Sequence, residues 1–184
     1  MSDQDSSSRR RWLIGAAGVA AAGLGAGLAW RQQQGRQAPL AASPPGAETF
    51  WSSRFEKPEG GELRAADLRG EPLLLNFWAT WCTPCVKELP ELARFQQEFR
   101  SAGWQVLGLA VDTPEPVREF LRKLPLDFPT ALAGLTGTSL ARTLGNAQGG
   151  LPFSVAFDRS GAQIWQKLGP TELPELRELA ARVG

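Results

Sequence analysis

Between Leu73 and Trp78 apolar side chains follow one another almost without a break, with Asn76 alone interrupting them. A short run of this kind predicts a strand covered on both faces and central in its sheet. Beyond Cys82-Thr83-Pro84-Cys85 the period changes. Val86, Leu89, Leu92, Ala93, Phe95 and Phe99 recur at helical spacing, with Lys87, Glu88, Glu91, Arg94, Gln97 and Glu98 between them. This predicts an amphipathic helix, bent where Pro90 lacks an N–H and crowds the preceding turn. Gln105 to Val111 reads as a second buried strand, and Pro114 with Pro116 opens a helix carrying Val117, Phe120, Leu121 and Leu124. Phe153 to Phe157 and Ile164 to Leu168 are strand-like runs joined by Asp158-Arg159-Ser160-Gly161, a hairpin turn ending on glycine. A closing helix starts near Thr171, with Leu173, Leu176, Leu179 and Ala180 inward. After a less regular opening at Phe50 to Leu68, the order is a βαβ unit, a helix, a ββ hairpin and a last helix. The economical assembly is a three-layer α/β/α fold around a mixed sheet of four to five strands.

A different pattern occupies the first quarter of the chain. Trp12 to Trp30 is nineteen positions without a charge, preceded by Arg9-Arg10-Arg11 and followed by Arg31 and Arg36. As a helix it would reach about 28 Å, near the thickness of a bilayer core. Its five glycines argue against a water-exposed soluble helix, and the arginines before the run place the N-terminus in the cytoplasm. The expected organisation is a basic region at 1–11, a signal anchor or signal-peptide core at 12–30, a flexible linker at 31–47 and the folded domain at 48–184. The domain would then face the periplasm or cell exterior, anchored to the inner membrane or released if the signal is cleaved. Ser8 to Leu13 resembles a twin-arginine export signal, and an ordinary positive flank reads equally well. No convincing small-residue cleavage site follows Trp30, which favours an uncleaved anchor.

Composition narrows the chemistry. The chain has two Cys, no His, one Met and no Tyr, which excludes most zinc, copper and iron sites and any histidine base. Residues 1–36 hold five Arg and two acidic residues of the 20 basic and 19 acidic in all, leaving 15 against 17 beyond them. A domain at about −2 has no basic footprint for nucleic acid. No cofactor is expected other than a redox-active disulfide between Cys82 and Cys85.

The C-x-x-C string sits where a buried strand ends and a helix begins. Helix-start amides and the positive end of the helix dipole stabilise an anion, so Cys82 should lose its proton easily and act as nucleophile. Cys85, one turn on, would lie beneath it and resolve a mixed disulfide. A zinc half-site lacks two further soft ligands, and a purely structural disulfide across so small a loop would constrain little.

Asn76-Phe77-Trp78-Ala79-Thr80-Trp81-Cys82-Thr83-Pro84-Cys85, followed by Lys87-Glu88-Leu89-Pro90, resembles the active-site region of the TlpA/ResA-like thiol-disulfide oxidoreductases of the thioredoxin-like superfamily. The resemblance runs from about Phe50 to the C-terminus and implies the thioredoxin topology. It implies that Leu151–Pro152, after Gly150, is a cis peptide opposite the cysteines, with the Leu151 backbone pairing with an extended substrate; an ordinary trans proline entering an edge strand is the plain alternative. It also puts Glu88 where the family carries a carboxylate near the thiols. Asn76 stands where thioredoxins have a buried Asp that moves the second thiol's proton, and an amide cannot do that work. Glu88 is therefore the proton-acceptor candidate, with a raised pKa expected, against the alternative of a solvated residue of the first helical turns. Trp81, Thr83, Pro84, Leu151 and Pro152 form the expected substrate-contacting set, and Trp78 and Trp81 read either as shields of the disulfide or as core and rim packing.

Thr83-Pro84 supplies no cation to stabilise a thiolate, which points to a reducing protein. The resemblance implies partners of two kinds: exported proteins with disulfides to be reduced, such as apocytochrome c or metal-site assembly proteins, and an upstream membrane dithiol donor. A peroxiredoxin would need a lone cysteine in a Pro-x-x-x-Thr-x-x-Cys setting, absent here, and a copper-delivery protein of the Sco type would need a histidine. A binding or assembly module with inert cysteines remains the alternative.

Overall fold

The computed structural model describes residues 45–183. The basic region and the anchor at 12–30 lie outside the described residues. The elements are α1 (Pro45–Trp51), β1 (Arg54–Glu56), β2 (Glu62–Arg64), β3 (Leu73–Trp78), α2 (Thr83–Phe99), β4 (Gln105–Ala110), α3 (Pro114–Lys123), β5 (Thr130–Leu132), α4 (Gly137–Thr143), β6 (Phe153–Phe157), β7 (Gln163–Leu168) and α5 (Leu173–Val183).

The sheet runs β2-β1-β5-β4-β3-β6-β7. β3 is parallel to β4 and antiparallel to β6, and β4 is parallel to β5. All six residues of β3 are buried, as a central strand requires. Alternation along it builds two cores. Leu74 and Trp78 join Leu89, Leu92 and Phe95 of α2, Val117 of α3 and Leu173, Leu176 and Leu179 of α5 on one face. Leu73, Leu75 and Phe77 join Phe50 and Trp51 of α1, Ala141 of α4 and Val155 and Phe157 of β6 on the other. Each fully buried large side chain contributes about 1.5–3 kcal/mol by leaving water.

Two expectations need correction. The sheet has seven strands, where four to five were expected. The additional strands are β1, β2 and β5, each of three residues, too short for alternation to be read, and β1 meets β5 only at Glu56 and Leu132. The segment read as linker to residue 47 already contains the start of α1 at Pro45. A Cβ on Gly46 would fall 2.1 Å from the Thr143 carbonyl oxygen, so only glycine allows this approach of α1 to the end of α4. Trp51 anchors the other end, with its indole N–H donating to Gly161 O at 2.8 Å and its ring against Phe157. At two helix boundaries the shift is smaller: Leu124 lies past the end of α3 and is exposed, and α5 begins at Leu173, two residues after Thr171.

Candidate active site

β3 leaves the sheet at Trp78, turns through Ala79–Trp81 and enters α2 at the cysteine pair. Cys82 occupies the cap of α2: its Sγ accepts from the Cys85 N–H at 3.3 Å, with Thr83 and Pro84 in the first turn, where a missing proline N–H costs nothing. Cys82 and Cys85 are joined in a disulfide, their Cα atoms 5.3 Å apart. Cys85 is fully buried and Cys82 is 6% exposed, so Cys82 is the more reachable sulfur. Thr83 and Pro84 are exposed beside it. α2 continues through Pro90 to Phe99.

Glu88 is one helical turn beyond Cys85 on the same inward face and is 2% exposed, which removes the solvated alternative. Its carboxylate accepts three hydrogen bonds: from Asn76 Nδ2 at 2.7 Å, from the Thr171 N–H at 2.7 Å and from the Thr171 hydroxyl at 3.1 Å. Asn76 gives its other amide hydrogen to Ser154 Oγ at 3.0 Å, its register partner on β6. Burial pushes the Glu88 carboxyl above the usual range; the bonds from Thr171 and Asn76, and the charge of Lys167, pull against that without cancelling it.

The register Phe77↔Phe153, carried on by one residue, sets Pro152 level with Trp78, at the end of the sheet from which the cysteine turn departs. The Leu151–Pro152 peptide is cis, as the resemblance implied. Leu151 is half-buried, and the preceding loop is braced by Asn146, which accepts from Gly149 N–H at 3.0 Å and donates to Gly150 O at 2.8 Å. The two tryptophans part company: Trp78 is fully buried against Phe120, ring centroids 5.1 Å apart, while Trp81 is 68% exposed. Trp78 is core, and Trp81 stands in solvent.

Three residues of the site escaped the sequence reading. Ser154 and Thr171 complete the Glu88 cluster, and Asp112 accepts from the Thr80 N–H at 3.0 Å and hydroxyl at 2.6 Å. Thr171 signals only a helix start, and Asp112, just past the buried run that ends at Val111, carries no local pattern of its own.

Several relatives carry thiol-disulfide chemistry in their names. The chain is 33% identical over 112 residues to the thiol-disulfide oxidoreductase ResA of Bacillus cereus, covering 60% of this chain and 62% of that protein. It is 30% identical over 126 residues to the ResA of Bacillus thuringiensis subsp. konkukian, covering 68% of this chain and 70% of that one. Among solved structures, a thiol:disulfide interchange protein of the thioredoxin family from Chlorobium tepidum superposes with a TM-score of 0.65 at 25% identity, over 79% of this chain and 99% of that one. The fold is thus thioredoxin-like. With a family match that takes in residues 35–169, the chain belongs to the AhpC/TSA family.

Proposed function

We propose that the protein is a thiol-disulfide oxidoreductase that reduces disulfides of exported proteins from the outer face of the cytoplasmic membrane, held there by residues 12–30. The observation that carries the reading is the Cys82–Cys85 disulfide at the head of α2, with the buried Glu88 one turn on. The names of the ResA relatives support it.

The reduced pair starts the cycle. The Cys82 thiolate attacks one sulfur of the substrate disulfide; that S–S bond breaks and the leaving sulfur takes a proton, forming a mixed disulfide. Cys85 gives its proton to the Glu88 carboxylate, and its thiolate attacks Cys82 Sγ. The Cys82–Cys85 bond forms and the second substrate thiol is released. Two electrons pass to the substrate, and an upstream dithiol donor must return them. A carboxyl raised above its usual range takes that proton better than an ordinary one, because its affinity lies closer to the working pH. Trp81, Thr83, Pro84, Leu151 and Pro152 would form the surface against which the substrate lies.

The direction is reducing. With no cation in Thr83-Pro84, the potential should lie on the order of −270 mV, and a measured value above about −180 mV would overturn that direction. The decisive experiment replaces Cys85 with Ser in cells and identifies what stays bonded to Cys82. Exported disulfide proteins should be trapped, and additional Cys82→Ser should release them. Failure of Cys82 to alkylate near neutral pH, with nothing trapped, would favour a module with inert cysteines instead.

A further inference from the structure

The turn that delivers Cys82 to α2 is held from outside by a single carboxylate. Cys82 N–H donates to Ala79 O at 3.2 Å, which closes the turn. Within it Thr80 directs both of its donors at Asp112 Oδ2, and Asp112 Oδ1 accepts from the Thr113 N–H at 2.8 Å. An ionised carboxylate has acceptors only, and all three contacts of Asp112 are of that kind. β3 and β4 leave the sheet side by side, with Val111 N–H on Trp78 O at 2.8 Å, so Asp112 reaches from one exit to the other. It is 8% exposed and belongs to the wall of a cleft of about 490 Å³. The charged groups sharing that cleft are Arg54 and Glu56, and Arg54 is engaged with Glu62 at 2.7 Å. Among the described residues no cation pairs with Asp112. None of the exchange steps uses it.

We propose that Asp112 is a positioning residue for thiol exchange: through Thr80 it fixes the turn that presents Cys82, and it keeps a negative charge on that turn. Like charges repel, more strongly where water is partly excluded. The Cys82 thiolate therefore costs more to form than the helix start alone would dictate, and the reduced pair is the better electron donor. The inference rests on the thiol-exchange reading and assigns one cause of its reducing direction.

Two kinds of variant separate charge from shape. Asp112→Asn has nearly the same size and can still accept from Thr80 but carries no charge; Asp112→Ser is a second uncharged replacement should the first not fold. Thr80→Val removes the hydroxyl bond and leaves the charge. The measurements are the pH dependence of Cys82 alkylation and the equilibrium with reduced and oxidised glutathione. The uncharged variants should show about tenfold more Cys82 thiolate at a given pH below the midpoint. Measured above the wild-type Cys82 midpoint, where the thiolate dominates, their equilibrium should move about tenfold toward the reduced protein, about 30 mV more oxidising by the two-electron conversion. Thr80→Val should move that equilibrium less than twofold. Shifts under twofold in the folded uncharged variants, or an equal shift in Thr80→Val, would overturn the role given to the charge. A wild-type protein unable to exchange with glutathione would instead overturn the functional reading, so the two failures are distinct.

Discussion

Glu88 and Asp112 are both buried carboxylates, each accepts three hydrogen bonds, and their surroundings are opposite. Glu88 lies on the inward face of α2 among the side chains of a core, held by Asn76 from β3 and by Thr171 from the segment before α5. Asp112 lies at the rim of the sheet, held by two loop residues, Thr80 and Thr113. Counting hydrogen bonds therefore does not distinguish them. The difference is what each is attached to: Glu88 is bonded to the scaffold and follows Cys85 by one turn, whereas Asp112 is bonded to the turn that carries Cys82. The first arrangement suits a group that takes a proton, the second a group that holds a turn.

The sharpest way to break this contrast is Glu88→Gln. If Glu88 accepts the Cys85 proton, release of the mixed disulfide should slow by about 10²-fold, the lower end of what a positioned base contributes. Stopped-flow measurement of that single step checks it. An unchanged rate and unchanged cysteine titrations would mean that Glu88 is only a structural carboxylate.

Much of this site was readable in the sequence, because its cysteines and its strand are local features. The run Leu73–Trp78, the helical period after Cys85 and the hairpin turn at Asp158–Gly161 all depend on neighbours a few residues apart. Glu88 and Pro152 came from the family resemblance. What stayed hidden were the partners: Thr171 meets Glu88 across 83 residues, Ser154 meets Asn76 across 78 and Asp112 meets Thr80 across 32. No local period encodes such pairings; they follow from the order of strands. The three-residue strands were missed for a related reason, since their place depends on the strand beside them rather than on their own pattern.

Ser154→Ala tests the scaffold side of the contrast at smaller scale. It strips the acceptor from one Asn76 amide hydrogen in a fully buried position, and a buried donor left without a partner costs about 1–3 kcal/mol. The denaturation midpoint should fall accordingly. A variant as stable as the wild type would mean that Asn76 is held in place without Ser154.

Thr171→Val gives the smallest effect, and its pH dependence is the telling part. The variant keeps the backbone N–H on Glu88 and loses the hydroxyl, a net loss of about 1 kcal/mol for one hydrogen bond. That hydroxyl stabilises the charged carboxylate, so removing it moves the folded-state pKa of Glu88 further above the ordinary 4.5. A carboxyl raised in the folded state binds more protons folded than unfolded across the interval from 4.5 to its folded value. Stability therefore falls as pH rises through that interval. In the variant the interval extends higher, so its deficit against the wild type should be small below pH 4.5, grow as the wild-type Glu88 ionises, and reach its full size only above the variant's own folded pKa. Urea unfolding of both proteins from pH 4 to pH 8 measures this directly. A deficit constant across that range would place the Thr171 hydroxyl in packing rather than in service of the carboxylate.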